Sequence, residues 1–429
     1  MNSTIEGRLI RGKPPAAVCY PDEPNYDPKV CQQVMKSWES SAFHGNDPVS
    51  IDEPALDGCI PIYPNGTSMY GDVSAGTRGC SAKDIPAYVV NATSVGDVQA
   101  GINFAREHSL RLNVKNTGHG RSSIPGSLSI WTHFFRSKEW HDGFVPQGCN
   151  GTANATQMAL TLGSGIMDRE AFEFAAEHNA VVVGGTDSTV GLMGWGGAGG
   201  HGYLTGVYGM GADNYLEAAV VLPNGKVIVA NEHQNTDIFW AIRGGGAGTW
   251  GVVTSVTVKA YPMPSTTLAS VTLSARNGTS AKLWYREVAQ VFADYPRLRS
   301  AGLSGYITLS GPPLVMTNAL FGYDMSTEAI QDALEPLIAW LESRNSTVEA
   351  TTQVAPHGKW IDFFHLFNLT EAAGGGDNKV SASRLLPAKS LMDVDAVAEM
   401  LLNAGPGVEK TDVSAVVLGV QRRQSLSRA

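Results

Sequence analysis

The chain has 429 residues, 43% hydrophobic and 17% charged, which suffices for two or three globular domains with sizeable cores. Forty acidic against 31 basic residues leave a net charge of −9, and no Lys/Arg cluster interleaves with aromatics. That balance argues against a nucleic-acid or anionic-membrane partner, and no apolar stretch is long enough to cross a bilayer; a monomer acting on a small molecule is expected.

Residues 1–81 read as a turn-rich lead-in with one short helix around Val30 to Ser40. Four of the five cysteines, Cys19, Cys31, Cys59 and Cys80, fall here, where disulfides would pin a segment with weak helix and strand signals. Three pairings are open, and Cys149 is left over. Sequons at Asn2, Asn65, Asn91, Asn150, Asn154, Asn277, Asn345 and Asn368 exceed the roughly three expected from composition and point to a secreted protein. The opening Met1-Asn2-Ser3-Thr4-Ile5-Glu6 has no apolar core of a signal peptide, so the expectation is a removed leader or a late start.

From Ala87 the texture changes. Tyr88 to Val90 reads as a strand, Ser94 as an N-cap, and Val95 to His108 as a helix with Val98, Ile102 and Ala105 on one face. Leu110 to Val114 is a second strand leading into Lys115-Asn116-Thr117-Gly118-His119-Gly120-Arg121-Ser122. Next come a strand at Gln157 to Leu162, a helix at Met167 to His178 and a buried strand at Ala180 to Val183. Between Gly184 and Asp213 lie 12 glycines in 30 residues, which should forbid a stable helix, since each interior glycine costs about 1 kcal/mol relative to alanine. Leu216 to Leu222, a Pro223-Asn224-Gly225-Lys226 turn and Val227 to Ala230 form a hairpin. A helix at Asp237 to Arg243 and a strand at Val252 to Tyr261 close a domain spanning 82–262. Residues 263–429 form another: strands at Thr267 to Ser274, Ser304 to Leu309 and Val315 to Tyr323, helices at Ala281 to Asp294, Glu328 to Arg344 and Val394 to Asn403. The fold class is α+β, with an antiparallel sheet covered by helices on one face of the second domain.

Two G-x-G-x-x-G matches, Gly194 to Gly199 and Gly246 to Gly251, are not dinucleotide fingerprints, because no helix leaves either one onto a pyrophosphate. Three glycine loops near strand ends within about 140 residues suit backbone amides wrapped around one large cofactor, with tight-packing turns as the alternative. His119, between glycines, can meet a ring system covalently; a histidine in a polar turn is otherwise an ordinary hydrogen-bonded loop residue. The histidines never pair at metal-ligand spacing with each other or with cysteine, so no metal is expected, and no G-x-S-x-G elbow follows a strand.

Lys115 to Gly120, Gly184-Gly185-Thr186-Asp187-Ser188-Thr189-Val190-Gly191, Gly199-Gly200-His201-Gly202, Tyr208 to Asn214 and Asp237 to Gly246 together resemble the berberine bridge enzyme-like flavoproteins. These belong to the vanillyl-alcohol oxidase superfamily, and the fungal secreted branch is nearest in texture. The resemblance runs from about Gly7 to Pro387. It implies a two-subdomain PCMH-type FAD-binding domain and FAD attached through its 8α-methyl group to His119. The implied cofactor contacts are Lys115, Asn116, Thr117, Gly118, Gly120, Arg121, Ser122, Gly185, Thr186, Asp187, Thr189, Val190, Gly191, Gly200, His201, Gly202, Tyr208, Gly209, Asp213, Asn214 and Val253. Many relatives add a cysteine bond; here that position is Asp187, which implies a single covalent link. Valine at 190 implies open access for O2 and an oxidase rather than a dehydrogenase. Trp195 replaces a usually small residue and is expected to narrow the cavity.

The implied reaction is oxidation of an alcohol, sugar or secondary metabolite, with hydride passing to flavin N5 and a base taking a proton. The base is open among Tyr306, Tyr323 and His365. Family members continue past this chain's end with a segment that returns to the flavin, whereas Gln421 to Ala429 is basic and polar. The alternative is therefore a truncated, non-catalytic flavin-binding or flavin-free remnant.

Overall fold

A computed structural model describes residues 1–52, 58–120, 122–149, 157–368, 385–406 and 412–418. The chain divides into two units. One comprises Met1–Gly202, Met210–Pro262 and Phe367–Val380; the other comprises Tyr203–Gly209, Met263–Leu366 and Ser381–Ala429.

In the first unit, strands β1 (Leu9–Arg11), β2 (Tyr88–Asn91), β3 (Leu112–Lys115) and β4 (Leu128–Trp131) form a sheet in the order β1-β2-β4-β3. β2 and β3 both run parallel to β4, and β1 of the lead-in adds antiparallel to β2. The connecting helix Val95–Glu107 starts where the sequence places it. Ser94 Oγ accepts from Asp97 N at 3.2 Å while Asp97 Oδ2 accepts from Ser94 N at 3.0 Å, a reciprocal cap. Its Val98, Ile102 and Ala105 face pack with Val90, Leu128, Ile130, Val221 and Val252. Gly101 allows the close approach, since a Cβ there would stand 3.3 Å from Ile130.

The second sheet of this unit contains β5 (Lys138–Phe144), β6 (Gln157–Gly163), β7 (Ala180–Val182), β8 (Tyr215–Val221), β9 (Val227–Asn231) and β10 (Val252–Pro262). Its order is β5-β6-β10-β8-β9, with β7 also on β10, and all of these pairings are antiparallel. The hairpin β8–β9 turns at Gly225, whose φ of +81° favours glycine. The lead-in carries two disulfides, Cys19–Cys31 and Cys59–Cys80, around a core that includes Trp38, Tyr20 and Ile60.

The glycine region corrects one expectation. Leu192–Gly197 is a helix of six residues and Thr205–Tyr208 one of four. Helix propensity is overridden there by close packing: a Cβ at Gly196 would press on the Tyr215 ring, and one at Gly197 on Ala247. Trp195 also organises this region. Its indole lies against Gly200 and Gly211, and Nε1 donates to His201 O at 2.9 Å, so several glycines of this loop exist to admit a tryptophan.

The other unit holds β11 (Ser265–Ala275), β12 (Ser304–Gly311), β13 (Val315–Tyr323), β14 (Val348–Lys359) and β15 (Asp412–Leu418) in the antiparallel order β14-β11-β13-β12-β15. Alternation along the strands separates its faces. Val271, Leu273, Ile307, Leu309, Met316 and Leu320 form the core with helices Ala281–Ser300, Thr327–Glu342 and Val394–Ala404. The first of these helices runs through Pro296 to Ser300, past the expected stop at Asp294, because Tyr295 and Leu298 are buried in that core.

Gly211→Ala should destabilise the chain by about 1–3 kcal/mol, the usual cost of overpacking. Combining it with Trp195→Leu should recover part of that loss in denaturant titrations; simple additivity would show that the indole is not what the glycine admits.

Candidate functional site

His119 stands where β3 ends and the chain turns through Gly118 at φ +93°. Its ring is 23% exposed and held from both sides. Nδ1 lies 2.9 Å from Asp52 Oδ2, and Nε2 lies 2.7 Å from Thr189 Oγ1. The Thr189 hydroxyl donates onward to Asp187 Oδ1 at 2.7 Å, so the hydroxyl accepts from Nε2–H. With a carboxylate at Nδ1 as well, this pattern suits the doubly protonated imidazolium. Burial pulls the His119 pKa down, but the hydrogen bond and charge of Asp52, with Asp187 behind, outweigh it and the net shift is upward.

The segment that supplies Asp52 is fastened to this loop. Lys115, 1% exposed, donates from Nζ to the carbonyls of His44 (3.2 Å) and Asp47 (2.8 Å) in the lead-in, and of Thr117 (3.4 Å) in the loop. Burial lowers its pKa to about 8, opposed by Asp47 and Asp52. Trp131 lies beneath the ammonium, 5.6 Å from it, and its indole donates to Asn116 O at 3.0 Å. Asp52 N donates to Gly118 O at 3.1 Å, and a Cβ at Gly118 would stand 3.0 Å from Ser50 O. Gly118 thus meets both demands for glycine, positive φ and close backbone approach.

Behind Asp187 lies Asp168, fully buried. Its Oδ2 accepts from Gly185 N at 2.6 Å, and its Oδ1 has no hydrogen-bond partner among the described residues. Burial pushes its pKa up to about 8, with the Gly185 bond and His119 pulling against it. The Asn116 carboxamide is likewise buried with neither atom partnered among the described residues, and Gly191 exists beside it because a Cβ would overlap that group. Gly120 faces open space. Unspent amide groups beside a glycine turn and a ring-bearing histidine fit a large polar cofactor.

The structure thereby brings together Asn116, Thr117, Gly118, His119, Gly185, Asp187, Thr189 and Gly191. Thr186 and Val190 are half-buried in the same loop. The other expected contact residues make the following contacts within the protein. The Lys115 side chain faces the lead-in rather than the loop's open side. Asp213 accepts from Met210 N, and Asn214 bonds Met210 O and the Tyr261 hydroxyl. Gly200 packs on Trp195, His201 O accepts from the same indole, and Gly202 packs on Gly184. Ser122 is tied back to Gly120 O, Val253 is buried in β10, and Tyr208 and Gly209 belong to the second unit. Arg121 lies outside the described residues. The loop Gly246–Gly251 borders a cleft of about 580 Å³ shared with Ile102, Arg106 and Val114.

In the second unit, on the sheet face opposite its core, Tyr203, Tyr306, Phe321 and Phe363 meet edge to face at 5.2–5.7 Å. The Tyr323 hydroxyl donates to Tyr203 O at 2.8 Å. Burial raises the pKa of both Tyr306 and Tyr323, so near neutrality they hold their protons and act as donors rather than bases. His365 is partly buried in helix Trp360–Asn368.

Residues 86–231 match the family of FAD binding domains. Over 413 residues the chain is 33% identical to FAD-linked oxidoreductase apf9 of Gibberella fujikuroi, covering 91% of this chain and 68% of that protein. The chain belongs to the FAD-linked oxidoreductases. Within them it is also 33% identical to easE of Epichloe festucae var. lolii, covering 74% of this chain and 53% of that one. It therefore spans between about half and two thirds of the length of these curated relatives. The VAO-type flavoprotein MtVAO713 of Myceliophthora thermophila superposes with a TM-score of 0.87 at 27% identity, over 97% of this chain and 74% of that one. The fold is thus that of the PCMH-type FAD-binding superfamily, and FAD is the cofactor that Asn116, Gly118 and their neighbours suit.

Sequence reasoning missed Asp52 and Asp168. Neither sits in a motif; only an aspartate beside the apolar run of a helix start, at 168, hinted at burial.

Asp168 keeps its proton in the folded chain up to about pH 8 but would ionise near 3.8 when unfolded. Its contribution to stability is full below the lower value and is lost as pH rises towards the upper one. Asp168→Asn retains an acceptor for Gly185 N–H without the ionisation. Its melting temperature relative to the native chain should therefore climb between pH 4 and pH 8; a constant difference would contradict the buried neutral carboxyl.

Proposed function

We propose that this FAD-linked oxidoreductase oxidises a small organic substrate, an alcohol, sugar or secondary metabolite, using FAD held by one covalent bond to His119 and dioxygen as the acceptor. The observation that carries the reading is the imidazole of His119 at the tip of a glycine turn, oriented at both nitrogens by Asp52 and Thr189. Asp187 supports the single bond, since a carboxylate replaces the thiol that a second attachment would use.

Bound FAD supplies the two-electron oxidation by accepting hydride from the substrate. The chain's own groups hold and orient. Asn116 and the turn at Gly118 offer polar backbone and carboxamide groups, and Thr189 links the ring of His119 to Asp187. Val190, half-buried in that loop, supports access for a small gas beside the anchor. Tyr306 and Tyr323, held protonated, are poor bases, which leaves His365 as the candidate base.

A secreted, glycosylated protein is the matching setting. Two disulfides support it, as do the exposed sequon asparagines Asn2, Asn65, Asn277 and Asn345; among the described residues no helix is long and apolar enough to cross a membrane.

On acid precipitation the flavin should stay with the native chain and pass into the supernatant from His119→Ala. Acid-stable flavin on His119→Ala would overturn the anchor. Anaerobic bleaching of the flavin by candidate alcohols and sugars, then recovery in air, tests the oxidase assignment; recovery only with an artificial acceptor would make it a dehydrogenase.

A further inference from the structure

His119 reaches its partners through chain that lies far away in sequence, and Asp52 stands out among them. It comes from the lead-in, 67 residues upstream, yet its carboxylate is 93% shielded and aimed at a ring nitrogen. Its second oxygen, Oδ1, is buried with no hydrogen-bond partner among the described residues. A carboxylate with half its acceptor capacity unspent is costly to bury unless the charge it faces is useful.

The surroundings fix Asp52 at several independent points. Asp47 Oδ1 accepts from Val49 N and Ser50 N, which turns the segment sharply before Asp52. His44 spans Trp38 O and Ser50 Oγ, both at 2.6 Å. Lys115 ties the carbonyls of residues 44 and 47 to that of 117, and Asp52 N binds Gly118 O. Backbone on both sides of the ion pair is thus held by groups other than the pair itself. Thr189 and Asp187, on the far side of the ring, offer a neutral hydroxyl at 2.7 Å and a carboxylate at 3.8 Å, so Asp52 is the only charged group in direct hydrogen-bond contact with the imidazole among the described residues.

We propose that Asp52 is the positioning residue of His119, orienting the imidazole and taking its Nδ1 proton as the ring becomes bonded to the cofactor. The inference rests on the covalent anchor proposed above. Attachment replaces one C–H bond of the flavin 8α-methyl group by a C–N bond to the imidazole. The bond forms at Nε2, which first gives its proton to solvent as its contact with Thr189 opens; one proton then leaves the methyl group and one leaves Nδ1 for Asp52. The two electrons released by the exchange reside on the flavin until dioxygen removes them as hydrogen peroxide. The imidazole becomes more positive while the new bond forms, and a fixed carboxylate at 2.9 Å stabilises that charge and receives the proton. A positioning role of this kind acts on attachment and leaves non-covalent recognition to the glycine loops.

The test compares the native chain with Asp52→Asn and Asp52→Glu, each purified as expressed and analysed for total flavin, for flavin that survives acid precipitation, and for melting temperature. Asp52→Asn should bind FAD with an unchanged melting temperature but carry it mainly in acid-extractable form. Covalent incorporation after adding FAD should be about tenfold slower, as expected when a charge-assisted hydrogen bond becomes a neutral one. Asp52→Glu, which restores the charge, should recover acid-stable flavin. Native levels of acid-stable flavin in Asp52→Asn would overturn the proposal. So would parallel loss of flavin and melting temperature in both variants, which would reduce Asp52 to packing. A native chain with only acid-extractable flavin would instead remove the anchor itself, and this inference with it.

Discussion

The buried ammonium of Lys115 is the interaction on which the flavin loop depends. Placing a lysine where almost no water reaches it is unfavourable, and the depressed pKa of about 8 registers that strain. Three carbonyls within 3.4 Å and an indole face offset it. The result is a junction that a more flexible or uncharged group could not make. One point charge joins two stretches of backbone about 70 residues apart, and from that junction Gly118, His119 and Asp52 take their places.

Viewed from this junction, the lead-in is part of the site rather than a preface to it. Its strand β1 completes the first sheet, and the salt bridge from Arg8 to Asp97 reinforces the helix cap that leads towards β3. Its disulfides close loops around Trp38, whose carbonyl in turn holds His44. Each contact is modest. Together they restrict the freedom of the segment carrying Asp52, which is how preorganisation is built from ordinary hydrogen bonds.

Where local pattern and burial agree, the elements are legible in the sequence. β11, β12 and β13 alternate apolar and polar residues and appear with boundaries close to those expected, as does the helix capped by Ser94. β5 and β14 escape detection because each is an edge strand rich in exposed polar or charged residues, Lys138-Glu139 in one and Glu349 to Thr352 in the other, so neither shows an apolar face. β1 is only three residues long. The helix at Leu192–Gly197 contradicts propensity because Tyr215 and Ala247 demand small residues there. The His119 loop is legible as a ligand loop from its glycines and its histidine. Asp52 is not, since nothing local connects residue 52 with residue 119; the link passes through Lys115, a residue that looks like an ordinary charged strand end.

Glycine deserves a divided account in this family member. Gly118 serves the cofactor loop directly, with φ +93° and backbone against backbone. Gly200 and Gly211 serve Trp195, and Gly191 serves Asn116. The two uses are coupled. Trp195 fills the space that Gly200 and Gly211 leave and bonds His201 O. That packing lets Thr189 and Asp187 face His119 at fixed distances, since the loop that bears them is braced from behind by Asp168 N binding Val190 O and by Gly185 N binding Asp168. Burial pulls the His119 pKa down, and the net upward shift of its ring follows chiefly from the hydrogen bond and charge of Asp52 held in this arrangement, with Asp187 adding to it.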